Sequence, residues 1–288
     1  MKIQLLAFSF LITVNLPSFA KEYFCYVPGA GGGSAYALQK LPLDLKARNI
    51  EALSFFVGKT GTVQEKALRL QVQIQKHLSQ DSDFECHFFA YSQGGIFVRY
   101  AMNHLLLEDP VDGTISFAKI AKSFTSASTP HLGTPLARLG KNFLGKQLEE
   151  GLAQMSEEEV AKFNDPSNKE FYSPAIEGMP SFSYRTFIRS SREAKSLPEK
   201  LGFEAIKSDA EKRKVNSSSD GVIPFGSQGF AKVLSDINVS HGFFSSGTDF
   251  KPSIVDVMEA HFRMLKGQTP MQKSYPAFFS ELVAQTAL

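Results

Sequence analysis

One serine stands where a strand-like run gives way to a helical pattern. Residues 84–90 are mostly apolar and strand-like, and apolar residues recur at helical spacing from residue 95 onward. The junction at residues 90–94 reads AYSQG, with Ser92 at its centre. Small residues two before and two after a serine suit a sharp strand-to-helix turn, because larger side chains would collide with the adjoining strand and helix. Ser92 is therefore a candidate nucleophile; the competing interpretation is an ordinary tight turn that contains a serine.

The surroundings of Ser92 predict where an anionic intermediate would be stabilised. In such a turn the amide of Gln93 points toward an oxyanion formed on the substrate. A glycine-rich segment, VPGAGGGS at residues 27–34, follows an early strand and lets backbone amides approach a ligand closely. Hydrolases with a serine elbow take their second oxyanion donor from this loop. The alternative is phosphate binding, but neither G-x-G-x-x-G nor the P-loop pattern fits these residues.

A serine hydroxyl needs a base within hydrogen-bond reach and a carboxylate that orients this base. In folds with such a turn the chain order is serine, acid, histidine. Of the six histidines, His241 meets this order, since it follows the strand-like residues 233–239 in a loop. The other five are less suitable. His77, His87 and His104 lie in predicted regular elements near or before the serine, and His261 belongs to the apolar stripe of the last helix. His131 lies in a loop, but if it were the base, no later histidine would remain to pair with an acid that follows the serine.

Asp220 is the candidate acid. It lies in the turn NSSSDGVIP, 21 residues before His241, which leaves room for one excursion and one strand. A plain Asp-Gly turn is the competing interpretation. Asp236 is a weaker candidate because it falls inside a predicted strand, and Asp249 is weaker because it follows the histidine.

These residues are separated by alternating strand and helix patterns. Strands are predicted at residues 23–27, 84–90, 120–127, 182–188 and 233–239. A capping box at residues 62–65 begins an amphipathic helix, a second helix follows Ser92, an acidic helix pair is predicted at 148–163, and a helix with an apolar stripe at 254–265 closes the pattern. The alternation predicts a parallel sheet covered by helices on both faces.

The whole chain limits the class of protein. A net charge of +2 argues against a nucleic-acid surface, and the basic run at 212–214 is short and typical of a solvated loop. Residues 1–20 are predicted to be a cleaved signal peptide, because they have a positively charged start, a short apolar run and small residues before the expected cleavage site. Residues 21–288 would then form one exported domain without a transmembrane segment. The chain has 26 Phe and no Trp, and whether its two cysteines, Cys25 and Cys86, are joined stays open.

Four segments together resemble the secreted bacterial lipases of the α/β-hydrolase fold. They are AYSQGGIFVRY at 90–100, STPHLGTP at 128–135, SDGVIPFGSQGF at 219–230 and VSHGFF at 239–244. The resemblance implies an α/β-hydrolase fold: a mostly parallel central sheet with helices on both faces and a cap or lid insertion at 136–180. It also implies a role for each site residue: Ser92 as nucleophile, His241 as general base and acid, Asp220 as its orienting partner, and the amides of Ala30 and Gln93 as the oxyanion hole.

The sequence departs from this family at three places. Pro28-Gly29 replaces the usual His-Gly pair of the oxyanion loop, and Ala90 replaces the first glycine of the elbow. Many relatives bind calcium through an Asp shortly after the catalytic histidine, whereas Gly242 and two phenylalanines follow it here. We therefore predict no metal, and the chemistry requires no cofactor.

The predicted activity is hydrolysis of carboxylic esters, with lipids as the expected substrates of a triacylglycerol lipase or carboxylesterase. Phospholipase or polyester depolymerase chemistry, or a non-catalytic binding protein on a hydrolase scaffold, are the alternatives. The apolar residues of the insertion either face acyl chains or a lipid surface, or pack on the hydrolase core; they are Phe143, Leu144, Leu148, Leu152 and Met155. Acyl length, head group, foldase dependence and oligomeric state are not readable from the sequence.

Overall fold

The computed structural model describes residues 21–139, 153–194, 196–238, 241 and 253–267. The predicted signal peptide lies outside these residues. The strands, in chain order, are β1 (Glu22–Val27), β2 (Ala52–Ser54), β3 (Glu85–Tyr91), β4 (Leu106–Asp109), β5 (Gly113–Ser116), β6 (Ala121–Ala127), β7 (Ser181–Phe187) and β8 (Lys232–Asn238). Six of them form one sheet in the order β2-β1-β3-β6-β7-β8, and β4 and β5 form a separate hairpin. Each of the five neighbouring pairs in the large sheet is parallel.

The helices, in chain order, are α1 (Leu41–Lys46), α2 (Val63–Leu78), α3 (Gly94–His104), α4 (Leu136–Leu139), α5 (Glu157–Asn164), α6 (Leu197–Arg213) and α7 (Ile254–Leu265). The predicted capping box starts α2: Thr62 Oγ1 accepts the amide of Glu65, and the Glu65 carboxylate accepts the amide of Thr62. None of the helices in the described ranges combines the length and apolar character needed to cross a bilayer.

Two hydrophobic clusters cover the two faces of the sheet. Because side chains alternate along a strand, Phe24 of β1 and Phe89 of β3 face one cluster, whereas Cys25 and Phe88 face the other. Residues of α1 and α7 complete the first cluster, and residues of α2, α3 and α5 complete the second. Phenyl rings occupy both clusters, in agreement with the unusual Phe content.

The predicted strands and the predicted closing helix are present within one or two residues of the expected bounds. Six elements were not predicted: strand β2, the two strands of the β4–β5 hairpin, and the helices α1, α4 and α6. The acidic helix pair expected at 148–163 is represented among the described residues by α5, since residues 148–152 lie outside them.

The segment predicted to be a cap is described at 136–139 and 153–180, where it packs against the helices that cover the sheet. Met155, Val160 and Phe163 are buried in the cluster that contains α2 and α3. Arg99 of α3 donates from Nε to the carbonyl oxygen of Ser173 at 2.8 Å. The described part therefore follows the packing alternative, while Phe143, Leu144, Leu148 and Leu152 lie outside the described residues.

Cys25 and Cys86 form a disulfide between the neighbouring strands β1 and β3. Both residues are fully buried on the same face of the sheet. The bridge ties together the two strands whose carboxyl ends lead into the glycine-rich loop and the Ser92 turn.

Candidate active site

The sequence-predicted site residues meet at the carboxyl edge of the sheet. In a parallel sheet, the loops that follow neighbouring strands lie at one edge, where open α/β folds bind ligands. The glycine-rich loop follows β1, Ser92 follows β3, and His241 follows β8. Asp220 lies between β7 and β8, where residues 188 and 219 form an isolated bridge.

Ser92 has a left-handed backbone conformation, with φ of 54°. This conformation is costly for a residue with a side chain and persists where the surroundings enforce it. Here the Ser92 amide donates to the carbonyl oxygen of Ala127 at the end of β6, at 2.8 Å. A Cβ on Gly94 would lie 2.7 Å from the carbonyl oxygen of Val27, so the small residue expected two positions after the serine is required.

Ser92, His241 and Asp220 form a continuous hydrogen-bonded chain. Ser92 Oγ lies 3.0 Å from His241 Nε2, and His241 Nδ1 lies 2.9 Å from Asp220 Oδ2. Asp220 is fully buried, whereas the His241 side chain is 12 % exposed. The histidine is also held through its backbone, because its amide donates to the carbonyl oxygen of Asp220 at 2.9 Å.

The Asp220 carboxylate is oriented by donors on both of its oxygens. Oδ1 accepts the amides of Val222 at 3.0 Å and Ile223 at 2.7 Å. Oδ2 accepts the hydroxyl of Thr186 at 2.8 Å in addition to His241. Thr186 is in turn bonded to Gln228, whose side chain accepts the Thr186 amide at 2.7 Å. Thr186 and Gln228 were not found from the sequence, because a buried hydroxyl on a strand carries no local signal.

The glycine-rich loop lies directly against Ser92. A Cβ on Gly29 would be 2.5 Å from Ser92 Cβ, so only glycine allows this approach. Ala30 is the next residue and is exposed. Gly31, Gly32 and Gly33 follow with left-handed φ angles of 85°, 76° and 93°. Ala30 is therefore joined directly to the glycine that contacts Ser92.

A buried lysine also belongs to this site. Lys66 of α2 is 1 % exposed, and its Nζ donates to Gln93 Oε1 at 2.7 Å. Burial, with a smaller contribution from the positive charge of Arg69, lowers the pKa of Lys66 to about 8. Sequence reasoning missed this residue, although a signal was present: a lysine interrupts the apolar face formed by Val63, Ala67 and Leu70.

The remaining histidines do not approach Ser92 through a hydrogen bond in the described residues. His261 is fully buried between the Thr125 and Tyr184 hydroxyls, and burial lowers its pKa to about 3. His131 is buried next to the Arg99 guanidinium, and burial and this charge together hold its pKa well below its ordinary value. Asp236, the weaker candidate acid, instead forms an exposed ion pair with Arg185.

The part of the chain that contains Ser92 matches a known protein family. Residues 48–162 match the family described as "Putative serine esterase (DUF676)". The matched region contains Ser92, Gln93 and Lys66, and it spans less than half of the 288 residues. A search of curated protein sequences gave no match.

Solved structures of esterases and lipases are similar over most of the chain. The mature lipase BlEst2 of Bacillus licheniformis has 14 % identity and a TM-score of 0.60, with 88 % of this chain and 95 % of that chain covered. The metagenomic carboxyl esterase MGS0156 has 16 % identity and a TM-score of 0.62, with coverages of 88 % and 77 %. Lipase 1 of Pelosinus fermentans has 15 % identity and a TM-score of 0.60, with coverages of 83 % and 98 %.

These comparisons confirm the α/β-hydrolase fold and the predicted resemblance to bacterial lipases and esterases. Together with the serine esterase match they support an ester hydrolase. At these identities the solved structures establish the fold alone, so the roles of individual residues depend on the geometry of the site.

Proposed function

We propose that this protein is a serine hydrolase that cleaves carboxylic esters, lipid esters among them, through a covalent acyl-enzyme. The observation that carries the proposal is the 3.0 Å contact between Ser92 Oγ and His241 Nε2, in a chain that continues to the buried Asp220 carboxylate. A serine, a histidine and a carboxylate in this order can remove the serine proton as the oxygen attacks a carbonyl carbon.

In the first half of the reaction, His241 Nε2 takes the proton of Ser92 as Oγ bonds to the ester carbonyl carbon. The carbonyl oxygen becomes an oxyanion, which accepts hydrogen bonds from the amides of Ala30 and Gln93. The imidazolium of His241 then gives its proton to the leaving alkoxide, so that the alcohol departs and an ester on Ser92 remains. The Asp220 carboxylate stabilises the positive charge on His241 while it exists.

In the second half, water occupies the place of the departed alcohol. His241 Nε2 removes one proton from this water as its oxygen attacks the acyl carbon, and a second oxyanion forms at the same two amides. Collapse of this intermediate expels Ser92 Oγ, which takes the proton back from His241. The carboxylic acid is released, and the reaction consumes no cofactor.

We further propose that the protein acts after export from the cytoplasm. The Cys25–Cys86 disulfide supports this proposal, because such bridges persist in oxidising compartments and are rare in the cytosol. The predicted signal peptide at 1–20 agrees with it. Sequencing the amino terminus of the protein recovered from the bacterial periplasm or medium tests the proposal: an intact terminus would contradict cleavage after residue 20.

Reaction with a fluorophosphonate probe tests the proposed nucleophile. The probe phosphonylates a serine activated by a neighbouring base, so the parent protein should be labelled and Ser92→Ala should not. Ser123→Ala is a matched control, because Ser123 Oγ also lies close to a histidine nitrogen, 2.9 Å from His87 Nδ1. Labelling should survive in this control. A folded parent protein that is not labelled would refute the proposed function.

The preferred acyl length follows from kinetics on nitrophenyl esters of increasing chain length. If lipids are the substrates, kcat/KM should rise from short to long acyl chains and increase further on emulsified triacylglycerol. Activity confined to short, soluble esters would assign the protein as a carboxylesterase and would reject the lipid part of the proposal.

A further inference from the structure

Lys66 is a buried cation attached to the residue that follows the nucleophile. Its Nζ donates to Gln93 Oε1 at 2.7 Å, and both residues are 1 % exposed. The backbone amide of this same Gln93 is one of the two proposed oxyanion donors. A single glutamine side chain therefore separates the ammonium group from the atom that would meet the developing negative charge.

The charge of Lys66 is not balanced within the described ranges. No Asp or Glu among the residues that the structure describes forms an ion pair with it; the charged neighbour is Arg69 on α2, which is also a cation. From the turn that precedes α3, the group that faces it is the neutral amide of the Gln93 side chain. Burying an ammonium group with a neutral partner costs free energy, and an apolar side chain of similar length would fill the space without this cost.

A buried ammonium group whose partner among the described residues is a neutral amide is better explained by function than by stability, since costly groups concentrate at functional sites. We infer that Lys66 is a positioning residue of the oxyanion hole: it fixes the Gln93 side chain and keeps a positive charge behind the amide that stabilises the tetrahedral intermediate. The inference rests on the proposed ester hydrolysis at Ser92. Lys66 does not touch the substrate in this arrangement, and it acts through Gln93 and through its field.

The loss of rate expected on removal of the Lys66 charge follows from the distance between the ammonium group and the oxyanion. Gln93 and the hydrogen bond place the ammonium group about 8 to 10 Å from the oxyanion, which at an effective dielectric constant of about 20 corresponds to a rate factor of roughly 15 to 30. The charge acts on the oxyanion and hardly on the uncharged ester, so kcat should change and KM should change little.

Three variants test the inference with a soluble nitrophenyl ester. Lys66→Met removes the charge and keeps the length, Lys66→Arg keeps the charge, and Lys76→Met is the matched control, because it removes an exposed lysine from the same helix. We expect kcat of Lys66→Met to fall about 15- to 30-fold with an unchanged or higher Tm, and kcat of Lys76→Met to match the parent. A lower Tm with the parent's kcat would show a purely structural lysine and overturn the inference.

The pH profile gives a second readout that does not depend on the folding of Lys66→Met. Since the pKa of Lys66 is lowered to about 8, its charge is lost as the pH rises through this value, and kcat/KM of the parent should decline there. Arginine stays charged, so the decline should move to higher pH in Lys66→Arg. A decline at the same pH in both proteins would overturn the inference.

Fluorophosphonate labelling separates this inference from the proposed function. If Ser92 of the parent is labelled and Lys66→Met keeps full kcat, ester hydrolysis stands and the role of Lys66 is rejected. If the folded parent is not labelled, both fail together.

Discussion

Replacement of Asp220 by asparagine tests the proposed catalytic geometry most directly, because it exchanges one carboxylate oxygen for an NH2 group and keeps the shape of the side chain. The carboxylate accepts two backbone amides on Oδ1 and the donors of Thr186 and His241 on Oδ2. An asparagine has only one acceptor oxygen. If that oxygen faces the backbone amides, the NH2 group faces His241 Nδ1, which must then become an acceptor and carry its proton on Nε2. That tautomer cannot take the proton of Ser92.

The expected loss can be worked out from the contact. His241 Nδ1 and Asp220 Oδ2 are 2.9 Å apart, and Asp220 is fully buried. Taking the centres of charge as about 4 Å apart and an effective dielectric constant of about 20, the attraction for the imidazolium is about 4 kcal/mol. Each 1.36 kcal/mol corresponds to a factor of about ten in rate, so kcat should fall about 1000-fold even before the tautomer is considered.

The assay is hydrolysis of a short nitrophenyl ester by Asp220→Asn, with Asp236→Asn as the matched control. Asp236 is the other candidate acid of the sequence, and it lies at the surface in an ion pair with Arg185. Surface ion pairs contribute little, so Asp236→Asn should keep kcat within about twofold of the parent. Thermal unfolding of both variants confirms that each is folded.

Two outcomes would refute this reasoning. A folded Asp220→Asn variant with kcat within about tenfold of the parent would show that Asp220 does not orient the base. Equal losses in Asp220→Asn and Asp236→Asn would show that the two carboxylates act through general electrostatics. The double variant Ser92→Ala/Asp220→Asn should be no slower than Ser92→Ala alone, because residues that act as one unit are not additive.

Two further predictions concern stability. His261 has a folded-state pKa lowered to about 3, so the unfolded chain binds a proton there first as the pH falls. Between about pH 7.5 and about pH 5, the free energy of unfolding of the parent should therefore fall by about 2 kcal/mol more than that of His261→Asn, as measured by urea unfolding. Equal decreases in the two proteins would contradict this prediction. Removal of the Cys25–Cys86 bridge, which joins residues 61 apart, should lower the free energy of unfolding by about 4 kcal/mol, measured by urea unfolding of the double serine variant; no decrease would mean that the bridge does not form.

The sequence predicts the parts of this fold that have a strong local pattern. The face of α2 formed by Val63, Ala67, Leu70, Ile74 and Leu78 is buried as expected, since each residue follows the helical period. Strands β1 and β3, which end in the glycine-rich loop and the Ser92 turn, are mostly apolar, and most of their residues are buried on both faces of the sheet. The spacing of apolar residues is sufficient to predict these elements, because the residues that follow it are the ones that are buried in the core.

The elements that the sequence analysis missed have weak local patterns. Strand β2 has three residues, which is too short for a period, and it is held by its pairing with β1. Helix α6 buries Phe203, Ile206 and Ala210 along a face that its charged residues interrupt. Its start was nevertheless readable, because Ser196 and Glu199 form a capping box with Pro198 in the first turn.

Contacts between distant residues explain what the sequence could not predict about the site. Thr186, Gln228 and Lys66 each form a hydrogen bond with a partner from another part of the chain, and nothing in the neighbouring residues specifies that partner. The chain order of serine, acid and histidine constrained the three main candidates, because one known arrangement fixes that order in this kind of fold. No such rule exists for the residues that support them.

A second serine in this molecule shows why distances alone do not define a catalytic site. Ser123 Oγ lies 2.9 Å from His87 Nδ1, and His87 Nε2 lies 3.1 Å from Glu22 Oε2, at the opposite end of β3 from Ser92. Ser123 belongs to the extended strand β6 and is 1 % exposed, so no carbonyl carbon can reach its oxygen. Ser92 differs in its left-handed turn, in the helix that starts two residues later, and in Gly29 packed against it. We therefore expect the backbone conformation and the approach of the glycine-rich loop, together with the hydrogen-bonded chain, to distinguish the proposed nucleophile from Ser123.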